Sequence, residues 1–229
     1  AARAAYRTFL GIREVRPQAQ YLNLLVEEPR PGVVGRYVRS FTGVMADKLS
    51  SLDQVPLNRY PDRQPVLFSP AFWANPLRIP LSRFRPNLVH LHWVAAGMLR
   101  VEELSNLGVP VVWTLHDTWA FTGGCHHTGT CAGFTLQCGR CPQLGSSRES
   151  DVSRTLWKRK RDVYSDLDLT VVAPGEWLAG LARQSSLFEG KRVEVIPNGL
   201  DVETFRPIDK AAAKAYLGVP TDHPVILFG

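Results

Sequence analysis

The sequence predicts an α/β fold: a parallel sheet with helices packed on its faces. Three observations carry this. From residue 87 onward, short apolar runs alternate with helical patterns. The runs are continuous rather than alternating, as in strands buried on both faces. The chain is 229 residues long and 45% hydrophobic, enough for one large domain or one domain and part of another.

In order, "AARAAYRTFLGIRE" reads as a helix, with Tyr6, Phe9, Leu10 and Arg13 on one side and several alanines favouring it. "QYLNLLVEE" reads as a strand. Prolines in "EPRPG", "YPDRQP", "FSP", "NPLRIP" and "RFRP" interrupt any long element over residues 28–87, predicting short helices and loops. "NLVHLHW" (87–93) is a strand. "MLRVEELSNLG" (98–108) is an amphipathic helix with a glycine stop. "VPVVWTL" (109–115) is a buried strand. Residues 150–167 form a helix with Val152, Leu156, Val163 and Leu167 on its apolar side. Strands at 169–173, 192–197 and 224–229 alternate with helices at 176–188 and 209–218.

Gly and Pro (18 and 17 residues) are only slightly elevated, and disorder is excluded as the main state. No apolar run approaches the roughly 18 residues of a membrane span, and no signal-peptide pattern is present. The net charge of +6 suits anionic partners without selecting one. The chain carries no repeat, P-loop or GxGxxG.

Ligands of open parallel sheets bind beyond the carboxyl ends of the strands. His116 and Asp117 directly follow one apolar run, with "TWAFTGG" continuing the loop and its flexible glycines, Gly123 and Gly124, beside the site position. An isolated strand-end histidine is more often satisfied by backbone groups. His90 and His92 share one strand face, as a metal pair, a substrate-facing pair or two core histidines. All four cysteines, Cys125, Cys131, Cys138 and Cys141, lie within 17 residues, spaced C-x5-C-x6-C-x2-C. The pattern is open to structural zinc, reduced thiols or disulfides. No His/Glu motif for catalytic zinc accompanies it. Lys158–Arg161 is a basic run inside a predicted helix. It reads as a solvated face, or as a contact with an anionic membrane surface.

Together, "NLVHLHWV", "VPVVWTLHDTWAFTGGCHHTGTC", "CGRCPQL", "VVAPGEWLAGLARQSSLF" and "VEVIPNGLDVETFRPIDKAAAKAYLGVP" closely resemble bacterial family 4 glycosyltransferases, nearest the colanic-acid-type branch that builds cell-surface polysaccharide. The resemblance covers about residues 1–15 and 85–229. It implies a Rossmann-like acceptor-side domain over 1–197, lacking its first strand. It also implies that 198–229 is the interdomain segment and the start of a donor-binding domain. The implied enzyme is retaining, needs no metal cofactor for catalysis, and moves a hexose from a nucleoside diphosphate sugar to a glycan or lipid-linked acceptor. It implies a catalytic His116, held neutral, that contacts the donor sugar. Substrate-binding positions would be His92, Asp117, Trp119, Gly123, Gly124, Asn198 and Gly199. The cysteine loop also recurs in that branch, favouring structural zinc. A cytoplasmic location follows, peripheral to the inner membrane face, with no nucleic-acid partner. Gly175 departs from the family, where serine is common, and this chain alone is expected to be inactive. Two other classes compete: a non-catalytic, zinc-clipped basic module binding nucleic acid or membrane, and a metal-dependent hydrolase using His90, His92 and His116.

Overall fold

The computed structural model describes residues 2–21, 51–73, 84–95 and 97–226. The Val- and Leu-rich runs form β1 (Val89–Leu91), β2 (Val111–Thr114), β3 (Leu169–Ala173) and β4 (Arg192–Val195). They lie in one sheet in the order β1-β2-β3-β4, every pair parallel. Val89 pairs with Val111, Val111 with Leu169, and Ala173 with Val195. Parallel neighbours require each connection to cross a face of the sheet and return. Two helices, α2 (Val152–Tyr164) and α3 (Glu176–Gln184), make the crossings from β2 to β3 and from β3 to β4. The fold is therefore the Rossmann-like α/β class expected from the sequence.

The core lies between the sheet and these helices. Leu91, Trp113, Leu115 and Val171 pack with Leu156, Trp157, Tyr164, Ala179 and Phe188, all buried. Full burial of a large apolar side chain contributes about 1.5–3 kcal/mol. Ahead of the sheet, α1 (Ala2–Val15) buries Ala5 and Phe9, and Phe9 stacks on Tyr21 at 5.3 Å between ring centroids. Leu10, expected on that side, is exposed.

Three elements differ from the sequence reading. The helix expected over 98–108 is a 3₁₀ helix, Val101–Asn106. Val101 and Leu104, three apart, are its buried residues, which suits three residues per turn. Ser105 Oγ and Asn106 Nδ2 both donate to the Glu102 carbonyl, competing with α-helical pairing. The helix expected over 176–188 ends at Gln184, followed by a 3₁₀ turn, Ser186–Phe188. Residues 224–226 carry no strand, and 227–229 lie outside the described residues. So does the strand expected at 20–28, beyond Tyr21.

The chain divides into two units, Ala1–Asn198 and Gly199–Gly229. The second holds α4 (Lys210–Leu217), capped by Asp209 accepting from the Ala212 amide and ended by Gly218 at φ 67°. No helix among the described residues is long and apolar enough to cross a membrane.

Candidate functional site

The site is built where β1 and β2 end. Parallel pairing sets the two strands side by side, so His90 and His92 lie against Thr114 and His116. His90 Nε2 is 2.8 Å from Thr114 Oγ1, and His92 Nδ1 is 3.0 Å from His116 Nε2. The His90 and His92 rings stack at 4.5 Å. Burial and the neighbouring imidazoles His90 and His116 push His92 down to about 3. Burial pushes His116 down to about 4, against the pull of the Asp117 charge. Burial also lowers His90. His92 and His116 are therefore neutral at pH 7 and available as hydrogen-bond donors or acceptors.

Asp117 is held from three directions. Its Oδ1 accepts from the Trp119 amide at 2.8 Å. Its Oδ2 accepts from Trp93 Nε1 at 2.8 Å and from His126 Nδ1 at 2.6 Å. Burial alone would raise its pKa; the bonds from His126, Trp119 and Trp93 outweigh it and hold the carboxyl below its ordinary value. His126 Nε2 in turn lies 2.9 Å from Ser69 Oγ. This Ser69–His126–Asp117 line has the order of a hydrolytic triad. However, Ser69 is 0% and His126 1% exposed, so no substrate reaches the hydroxyl. The line anchors the loop.

The loop's carbonyls are also tied down from behind. The 3₁₀ turn Trp119–Phe121 leaves its last carbonyls without helical partners. Lys160 Nζ donates to the Trp119 carbonyl, and to that of Thr122 at 3.0 Å. Tyr164 donates to Ala120 O and Ser185 to Phe121 O. The Lys160 ammonium also sits 3.7 Å from the Trp119 ring centroid. Four consecutive carbonyls beside His116 are thus fixed by three buried side chains.

This arrangement revises several sequence-level expectations. In the basic run, Lys160 is fully buried. Arg159 is engaged with Glu102, at 2.5 Å and 2.8 Å, and with the Ala71 carbonyl. Only Lys158 and Arg161 remain exposed, so the run does not form a four-residue basic face. Gly123 and Gly124 are buried and close-packed rather than an open, flexible edge. A Cβ on Gly123 would meet Ser153 O at 2.3 Å and Cys138 Cβ at 2.7 Å. Gly124, at φ 128°, lies against Phe68, which a Cβ would meet at 2.5 Å. Trp119 is 2% exposed, yet with His92, Trp93, His116 and Asp117 it lines a small cleft. Asn198 and Gly199 are exposed where the chain passes from the first unit to the second.

The four cysteines are free thiols. Cys138 Sγ accepts from the Gly123 amide at 3.2 Å, and Cys131 Sγ from the Gly133 amide at 3.4 Å. Among the described residues, no three His, Cys, Asp or Glu side chains are grouped to hold a metal ion.

A second, larger cavity of about 570 Å³ lies between residues 55–62 and 144–155. Its lining includes Arg59, Tyr60, Asp62, Phe72, Arg148 and the start of α2. The far end of α2 leads to Asp168, whose carbonyl accepts from Val111 at the amino end of β2. The start of α2 therefore lies towards the carboxyl edge of the sheet, as His116 does.

Sequence reasoning placed Lys160 on a basic surface rather than behind the site, and did not single out Tyr164, Ser185, Ser69 or Trp93. For the first two a signal existed: positions 153, 156, 157, 160, 163 and 164 follow helical spacing and form the buried stripe of α2.

Residues 32–204 match the family model described as Glycosyltransferase Family 4. The chain is 33% identical over 127 residues to a protein of Escherichia coli (strain K12) named as a colanic acid biosynthesis glycosyl transferase, WcaC, covering 52% of this chain and 31% of that one. It is 30% identical over 160 residues to a D-inositol 3-phosphate glycosyltransferase of Segniliparus rotundus, covering 69% and 31%. To the enzyme of the same name from Nocardia farcinica it is 26% identical over 205 residues, covering 89% and 38%. The chain thus spans about a third of the length of these relatives. No solved structure matches it.

Proposed function

The chain belongs to glycosyltransferase family 4, and from that premise we propose that it is the acceptor-side part of an enzyme that moves a hexose, with retention, from a nucleoside diphosphate sugar to a glycan or lipid-linked acceptor in cell-surface polysaccharide synthesis. The observation that carries this reading is the neutral His116 at the carboxyl end of β2, on the edge of a small cleft. A neutral imidazole hydrogen-bonds a sugar hydroxyl without placing a positive charge against an oxocarbenium-like centre. The departing diphosphate would be stabilised by basic groups and backbone donors outside the described cleft. Similarity to the WcaC protein favours a polysaccharide role, and similarity to the inositol phosphate enzymes favours a polyol acceptor. The 570 Å³ cavity, with two arginines, two aspartates and two aromatic rings, is the acceptor-side candidate.

The basic-module reading is weakened by Arg159 and Lys160, which are spent inside the domain. Peripheral membrane contact would rest on Lys158 and Arg161. The test is incubation of the intact protein with nucleoside diphosphate hexoses and glycan or lipid-linked acceptors, followed by NMR of the product. A glycoside with the donor's anomeric configuration supports the proposal. An inverted product overturns retention, and tight, salt-sensitive DNA binding without transfer supports the module instead.

A further inference from the structure

The His92–His116 contact joins Nδ1 of one ring to Nε2 of the other at 3.0 Å. A neutral imidazole carries one N–H and one bare nitrogen. One ring must therefore donate across this contact and the other accept. If His92 Nδ1 donates, His116 accepts at Nε2 and carries its own proton on Nδ1. If His116 Nε2 donates, His92 accepts at Nδ1 and carries its own proton on Nε2. Both rings are then in the same tautomer, whichever it is. The two remaining nitrogens, His92 Nε2 and His116 Nδ1, are always one acceptor and one donor. Among the described residues neither has a protein partner.

We infer that His92 is a positioning residue that ties the tautomer of His116 to its own, so that His116 Nδ1, turned away from the contact, meets a sugar hydroxyl in the protonation state the pair dictates. A hydroxyl both donates and accepts, so it matches His116 Nδ1 in either tautomeric state. The ring stacked at 4.5 Å, His90, is itself held by Thr114 and restrains His92 from turning away. Burial keeps His92 and His116 neutral, which the coupling requires. The hydroxyl as ligand rests on the proposed function; the tautomer coupling does not.

Long-range ¹H–¹⁵N correlation spectra of the histidine-labelled chain at pH 7.5 test the coupling without substrate. The expected result is two neutral rings in matching tautomers, both Nδ1–H or both Nε2–H. His92→Leu should change the His116 tautomer ratio, and His92→Asn, whose amide can occupy the Nδ1 position, should restore it. Opposite tautomers, a charged ring, or an unchanged His116 ratio in a folded His92→Leu variant would overturn the inference. If His92→Leu does not fold, the wild-type tautomers alone decide. Sugar transfer with mismatched tautomers would sink this inference and leave the proposed function standing. Matched tautomers without transfer would do the reverse.

Discussion

Replacing Lys160 with methionine removes the ammonium from beneath the His116 loop while keeping a side chain of similar length. Its two acceptors then fare differently. The Trp119 carbonyl keeps a bond from the Thr122 amide at 3.3 Å. Among the described residues the Thr122 carbonyl has no other donor, so it is left bare in a buried residue. One orphaned buried acceptor costs about 1–3 kcal/mol. Against that stands the burden of the buried charge, since burial lowers Lys160 from 10.5 to about 7. Between those values the unfolded chain binds the proton and the folded chain does not. Stability therefore rises with pH over that window, by about 1.4 kcal/mol per unit at most. Below pH 7 both states are protonated and the full penalty applies. The methionine variant lacks this dependence. Urea unfolding at pH 6 and pH 9 should show Lys160→Met losing the least stability at pH 6 and clearly more at pH 9. An equal loss at both values, or a variant more stable at pH 9, would refute this account of the buried amine.

Further expectations concern packing and reactivity. Gly123→Ala forces a Cβ against the Ser153 carbonyl and Cys138; a loss of about 3 kcal/mol is expected in thermal or urea unfolding. Gly175 caps α3 with extended backbone, no side-chain bond and open space at its Cβ position. Gly175→Ser should raise stability by a few tenths of a kcal/mol. Burial pushes the Cys138 and Cys141 thiols up to about 12 and about 11. Native-state alkylation at pH 8, mapped by mass spectrometry, should leave both unmodified until denaturant is added.

The parallel sheet was legible because each strand is a short apolar run followed by helical spacing. The carboxyl-edge position of His116 followed from the same pattern. The inward turn of Lys160 was obscured by its neighbours: four consecutive cations read as a solvated face, although Lys160 belongs to the buried stripe of α2 and Arg159 pairs with Glu102. Gly123 and Gly124 read as flexible because composition does not show what packs against a missing Cβ. The links from Asp117 to His126, and from His126 to Ser69, span 9 and 57 residues. Such contacts are products of tertiary packing, which no local period encodes.

The account places a neutral His116 against the donor sugar, on a loop held rigid from behind. The most direct measurement is hexose transfer by the intact protein carrying His116→Ala, alongside its unfolding curve. The account predicts a fall in turnover of about 100-fold or more, with stability nearly unchanged because the ring is only partly buried. Unchanged turnover in a folded variant would contradict it.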